Sequence, residues 1–271
     1  MAKVLVGVAT FDGMKYCEDE FYNRVRELSY LDYDVLIVDN SRSEEYSDKL
    51  RGKFDGLKVI YDDTDEEKSI FRLISSRNKI LEYGLEKGYT HILMLDSDVI
   101  PPKDIIEELL RQDKAIVSGV YYNYFNISGK IQYHPVAWAY FSEKEFAELK
   151  KVYPDFVGSK TRKDIKRYLT EDEVESGDLM GVAVPSGGAM LIRREVFESS
   201  KDDSGEPNAL YGKDTKEGTG EDIYFINRVR ELGFEPYCYP KVKCEHLVQD
   251  KYKKDENGNY VHSSFSDLVK V

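Results

Sequence analysis

A mostly parallel α/β sheet flanked by helices is the fold class this sequence predicts, on three observations. Short runs recur that are apolar on both faces, as strands buried inside a parallel sheet must be. Helical patterns fill the intervals, so strand and helix alternate. The 271 residues can bury a large core, so neither disulfides nor a structural metal is needed to hold it. We read one domain over 1–271, made of a first half (1–118), an aromatic-rich insertion (119–180), a second half (181–247) and a flexible tail (248–271).

The first strand is expected at 4–9, where the apolar run is cut short by Asp12 and Gly13; it reads as a strand and not as a leader peptide. Further strands are expected at 35–38, 57–61 and 91–95, each bounded by Asp, Gly or Asn. Residues 66–86 read as a helix, because Ile70, Leu73, Ile74, Arg77, Ile80, Leu81 and Leu85 recur at helical spacing and Gly88 follows as a stop. Pro101 and Pro102 end the fourth strand, and a helix is expected over 103–110. In the insertion, the crowded rings of Tyr121, Tyr122, Tyr124, Phe125, Tyr133, Trp138, Tyr140 and Phe141 read as paired strands around a turn at Ser128 and Gly129. Two charged helical stretches, 142–152 and 161–169, follow, and the insertion is expected to cover or extend one sheet edge. The second half returns to strand at 182–192, to an amphipathic helix at 222–232, and to short strands around 236–239 and 242–246. The tail from Gln249 is polar and rich in Lys.

Composition narrows the function. Lys and Arg number 39 against 51 Asp and Glu, a net charge of −12, and a field of that sign repels phosphate polymers and anionic lipid heads. Nucleic acid is therefore not an expected partner, and a small anion would need a local cation beside it. Cys17, Cys238 and Cys244 form an odd, sparse set that suits a reducing compartment. No apolar run approaches the ~20 residues that cross a bilayer. The expected location is cytoplasmic, with no transmembrane segment.

The most informative stretch is His91-Ile-Leu-Met-Leu-Asp96-Ser97-Asp98. A buried strand delivers two carboxylates at its C-terminal end, where open α/β sheets bind ligands. On a continuing strand Asp96 and Asp98 point the same way; if the chain turns, they can still converge on one ion. Two close carboxylates repel unless a divalent cation sits between them and another anion, and oxygen ligands favour Mg²⁺ or Mn²⁺. A solvated acidic turn is the plain alternative. Downstream, Gly187 and Gly188 precede an apolar strand and let a ligand or a backbone approach closely. Glu221 and Asp222 open a helix after Gly218-Thr219-Gly220; capping alone favours carboxylates there by ~0.3–1 kcal/mol, and the same place suits a base that deprotonates a hydroxyl. His246 ends a late strand.

Taken in order, a strand ending in Asp39, Ser76-Arg77-Asn78, the D-x-D, Gly-Gly, Glu-Asp and a strand ending in His resemble the nucleotide-sugar glycosyltransferases of the GT-A (Rossmann-like) fold, nearest to the inverting glycosyltransferase family two. The resemblance covers 3–118 and 181–247, and implies a nucleotide-binding first half and an acceptor and catalytic second half. It implies that Ala9, Thr10 and Phe11 wrap the base, with Asp39, Arg77, Asp96 and Ser97 also on the nucleotide. Asn40 departs from the family's usual second Asp. It further implies Asp96, Asp98 and His246 as ligands of Mn²⁺ or Mg²⁺, Asp222 as catalytic base with Glu221 beside it, and Gly187, Gly188 and Trp138 at the acceptor.

The reaction so implied moves a sugar from a UDP- or GDP-linked donor to a hydroxyl on a saccharide, lipid-linked or small-molecule acceptor. Tyr122 and Tyr124 are further candidates for an acceptor platform, and Lys251, Lys253 and Lys254 for closing over the diphosphate. Two rivals remain at this point: a non-catalytic nucleotide-sugar binding module, which has no need of Asp222, and a D-x-D phosphatase, whose second carboxylate motif is missing.

Overall fold

The structure, a computed structural model, describes residues 2–127, 129–199, 210–212 and 220–248, with the backbone of 252–254 and 260–262. Ser128, Gly218, Thr219, most of the expected tail with Lys251, and the side chains of Lys253 and Lys254 lie outside the described residues.

The first half alternates as its apolar runs require. β1 (Val4–Thr10) is buried at all seven positions, and α1 (Glu18–Arg26) returns the chain to β2 (Tyr33–Asp39). α2 (Glu45–Lys53) leads to β3 (Lys58–Tyr61), and α3 (Ser69–Glu86) to β4 (His91–Asp96). β1 pairs in parallel with both β2 and β4, and β2 with β3. The chain then turns through β5 (Val99–Ile100) and α4 (Ile105–Leu110) into β6 (Ile116–Val120).

The insertion opens with an antiparallel hairpin, β7 (Tyr122–Ile127) and β8 (Lys130–Pro135), followed by β9 (Trp138–Tyr140), α5 (Glu143–Val152) and α6 (Pro154–Val157). β10 (Lys166–Tyr168), α7 (Glu171–Ser176) and β11 (Met180–Gly181) complete it. The helix expected at 161–169 does not form. The Thr161–Asp164 capping box sustains only a single 3₁₀ turn, after which Lys166–Tyr168 pairs antiparallel with Trp138–Tyr140. Cross-strand partners outweigh helical spacing over so short a stretch.

The second half supplies β12 (Ala189–Arg193), α8 (Arg194–Glu198), α9 (Glu221–Glu231), β13 (Pro236–Lys243) and β14 (Glu245–His246). The strand expected over 182–192 begins only at Ala189, because Val184 bridges to Trp138 and the glycine turn intervenes. The eight strands run β11-β13-β6-β12-β4-β1-β2-β3. Most neighbours are parallel, and β12 lies antiparallel between β4 and β6. β11 extends the edge, as expected of the insertion. Residues 252–254 and 260–262 pair antiparallel.

The two sheet faces carry separate cores. Phe21, Tyr22, Leu50 and Ile106 cover one; Ile74, Ile80, Phe225 and Val229 cover the other. Among the described residues no helix is long and apolar enough to cross a membrane. α3 lies so close to β1 that a Cβ at Gly7 would collide with the branched Ile80 side chain. Gly7→Ala should therefore destabilise the fold by ~1–3 kcal/mol through overpacking. Ile80→Ala, costly alone, should cost less in the Gly7→Ala background; a double-mutant cycle by urea denaturation reads that coupling.

Candidate active site

A cleft of about 460 Å³ opens at the C-terminal ends of β1 and β4. Ala9, Thr10 and Phe11 form its floor at the end of β1, and the Thr10 hydroxyl donates to Ser97 Oγ at 3.2 Å. All four line the cleft. Asp39 does not. Its carboxylate accepts the Ser41 amide and hydroxyl on one oxygen and the Ser47 hydroxyl on the other, within a fully buried turn. A carboxylate so engaged holds the β2–α2 turn in place of a ligand, and Asn40 faces the cleft instead.

The core of the site is a charge cluster built on Arg77. The side chain leaves the middle of α3 only 3% exposed and is no surface ion pair. Nη2 donates to Asp96 Oδ1 at 2.8 Å; Nη1 donates to Glu221 Oε1 at 3.0 Å and to Asp222 Oδ1 at 2.5 Å. Burial opposes the guanidinium's charge, but Asp222 and Asp96 outweigh it and hold the arginine pKa well above its usual value. For Asp96 burial wins: the carboxyl is pushed up despite Arg77, with repulsion from Asp98 and Asp222 adding to the shift. Glu221 is raised for the same reasons, burial first and then its neighbour Asp222. The geometry leaves no room for side chains opposite. A Cβ at Gly187 would collide with the Asp222 carboxylate, and one at Gly188 with that of Asp96 and the Tyr121 hydroxyl. The close approach these glycines permit is thus by the protein's own acids. Neither glycine, both expected at the acceptor, lines the cleft. Trp138 is also outside it, packed into the core and edge-on to Tyr168. Tyr122 and Tyr124 pack on Tyr133, and the insertion reaches the cleft through Tyr121, Asn123, Phe125 and Val136.

Asp98 lines the same cleft as Asp96 but bonds elsewhere. The chain turns at Ser97, so the two carboxylates take different partners. Asp98 Oδ2 is 3.4 Å from His246 Nε2 and 3.4 Å from the Tyr16 hydroxyl, which donates to the Leu247 carbonyl at 2.6 Å. β14 brings His246 there by pairing with β5, His246 opposite Val99. Its Nδ1 lies 3.1 Å from the Tyr122 carbonyl oxygen, to which only a ring N–H can donate. Burial disfavours the charged ring, yet the hydrogen bond and charge of Asp98 and the Tyr122 carbonyl raise its pKa overall. The expected three-ligand set of Asp96, Asp98 and His246 does not assemble: among the described residues no three His, Cys, Asp or Glu are grouped to hold a metal. What does assemble is the Asp98–His246 pair, with one imidazole nitrogen oriented by a carbonyl. The donors of such a pair, one carboxylate and one imidazole, are of the kind that suits a divalent ion.

Sequence reasoning missed Arg72. It lines the cleft, and its Nε and Nη1 are buried without a hydrogen-bond partner among the described residues. The signal was present, since Ser69, Arg72, Leu73 and Arg77 recur at helical spacing and line the cleft together. Tyr16 left no local signal, because its partners are 82 and 231 residues away.

Residues 19–200, more than half of the chain, match the description Glycosyl transferase family 2. In fold the chain is similar to GalNAc-T7, solved with UDP, GalNAc and Mn²⁺, at a TM-score of 0.57 and 13% identity over 92% of this chain and 44% of that one. It is similar also to the mannosyltransferase PcManGT from Pyrobaculum calidifontis, solved with GDP-Man and Mn²⁺, at a TM-score of 0.50 and 14% identity over 92% of this chain and 58% of that one. The chain thus spans less than two thirds of either. No curated protein matches it in sequence.

Arg77→Met strands three carboxylates against one another. Losing one partner of a buried charge cluster should cost ~3–5 kcal/mol. The stranded acids then have folded-state pKa values above their unfolded ones, so the folded variant holds the extra protons. Its deficit should be smallest at acidic pH and grow as pH rises through those values. Urea denaturation of variant and unaltered protein at pH 5 and pH 8 checks both the size and the sign.

Proposed function

We propose, because this chain belongs to glycosyl transferase family 2, that it moves a sugar from a UDP- or GDP-linked donor to an acceptor hydroxyl with inversion, Asp222 acting as base. The observation that carries this reading is the convergence of Asp98, His246 and Asp222, from three distant parts of the chain, on one cleft. The Mn²⁺ in both similar structures, with UDP and GalNAc in one and GDP-Man in the other, supports a donor of that class.

The nucleoside is assigned to the end of the cleft walled by Ala9, Thr10, Phe11 and Asn40. Arg72 supplies unpaired donors to the acceptor atoms of the nucleotide there; a hydrogen bond to a charged group contributes ~1.5–3 kcal/mol. Asp98 and His246 are the residues that would hold Mn²⁺ or Mg²⁺. When bound, such an ion neutralises charge on a departing diphosphate. Asp222 has one oxygen held by Arg77, which fixes its direction and leaves the other to accept the acceptor's proton. Asp96 and Glu221 serve the same clamp, and Phe125 and Tyr121 wall the side from which the acceptor enters.

Asp222→Asn should lower transfer by ~10²–10⁴-fold, the usual worth of a positioned base, while leaving nucleotide affinity in place. Retained turnover with lost affinity would refute the base assignment, and slow donor hydrolysis by the unaltered protein speaks against a mere binding module. Asp98→Ala should abolish the Mn²⁺-dependent part of UDP or GDP binding, measured by calorimetry with and without the ion.

A further inference from the structure

Seven large apolar side chains are exposed among the described residues, and three of them, Val152, Tyr153 and Phe156, fall within five consecutive positions at 62%, 58% and 57% exposure. They sit where α5 meets α6. α5 is a well-formed helix: the Ser142 hydroxyl accepts from the Glu145 amide, and Glu145 returns the bond. Yet none of its ten residues is buried. Phe141, Leu149, Val152 and Tyr153 line a groove along one side of it. A capped amphipathic helix whose apolar stripe covers no core is built to cover something else.

The charge around this stripe runs against the rest of the chain. From the start of α5 through the segment after α6, residues 143–167 carry eight Lys or Arg and five Asp or Glu, a net of +3, in a protein whose net charge is −12. Lys150 and Lys163 form no ion pair with a carboxylate among the described residues. Lys160 Nζ lies 4.7 Å from the Phe156 ring centroid and donates to the Phe156 carbonyl. Aromatic and aliphatic tips beside free lysines are the composition that enters a bilayer interface while the ammonium groups stay at the headgroups.

We propose that α5, α6 and the basic segment after them form a docking surface for an anionic lipid bilayer. The negative field of the whole chain does not forbid it, because charges more than ~8–10 Å away are screened at physiological salt, leaving the local net positive charge to face the membrane. A second copy of this chain is a poorer occupant, since a two-fold contact would set the same lysines against each other. The insertion that bears this surface also supplies Asn123, Phe125 and Val136 to the cleft, so docking would hold the cleft beside the membrane. The inference stands apart from the transfer reading, since its test measures no turnover.

The test is flotation of the full chain with vesicles of phosphatidylcholine alone and of phosphatidylcholine mixed with phosphatidylglycerol, with circular dichroism to verify the fold of each variant. Binding is expected to the mixed vesicles, to weaken with added salt, and to be lost in the double variant Tyr153→Ser, Phe156→Ser. Lys150→Glu and Lys163→Glu should each weaken it at least about fivefold, the usual worth of one basic residue near such a surface. No binding, equal binding to both vesicles, or binding indifferent to these variants would overturn the proposal. So would sedimentation showing a dimer that only the Tyr153→Ser, Phe156→Ser variant dissolves.

Discussion

One guanidinium against three carboxylates is the constraint on which the rest of this architecture turns. Arg77 joins the middle of α3 to the end of β4 and to the first turn of α9. A single positive charge is too little for three negative ones in a desolvated setting, and the molecule answers in two ways. Burial raises the proton affinity of Asp96 and Glu221, and Gly187 and Gly188 clear the space in which Asp222 and Asp96 sit. The Tyr211 ring, 5.3 Å from the guanidinium carbon, adds its electron-rich face. The candidate base is thereby aimed by a residue 145 positions away.

Much of this was legible before any coordinates. Strands apolar on both faces had to be buried in a parallel sheet, and the helix containing Arg77 announced itself by its spacing. What escaped depends on contacts distant in sequence. Residues 166–168 have a helical texture and become a strand only because Trp138–Tyr140 offers an edge. The family resemblance implied a nucleotide contact at Asp39, but two serines in the next turn take its oxygens. Asp96 and Asp98 were expected to share an ion; a turn at Ser97 sends one to Arg77 and the other to His246, and no residue spacing encodes that divergence. Gly187 and Gly188 were rightly read as places of close approach, though what approaches is Asp222 and Asp96.

The two faces of the sheet divide the labour of holding the site. α3 and α9 lie over the face whose core contains Ile80 and Phe225, and they carry Arg72, Arg77, Glu221 and Asp222. α1 and α4 brace the opposite face, while β5 and β14 pair to bring Asp98 to His246. The antiparallel β12, set between β4 and β6, is what allows the Asp96 amide to donate to the Gly188 carbonyl at 3.0 Å. Donor-side and acid-side elements are thus stitched together at backbone level.

The order of the cluster's members along the polypeptide carries a consequence for its biogenesis. A growing chain displays Arg77 and Asp96 before Glu221 and Asp222 are synthesised, so over the 125 residues from Asp96 to Glu221 the guanidinium has one of its three counter-ions. Burying it at that stage costs desolvation without the full electrostatic return. Closure of the clamp therefore waits for the first turn of α9, which carries two of the three acids.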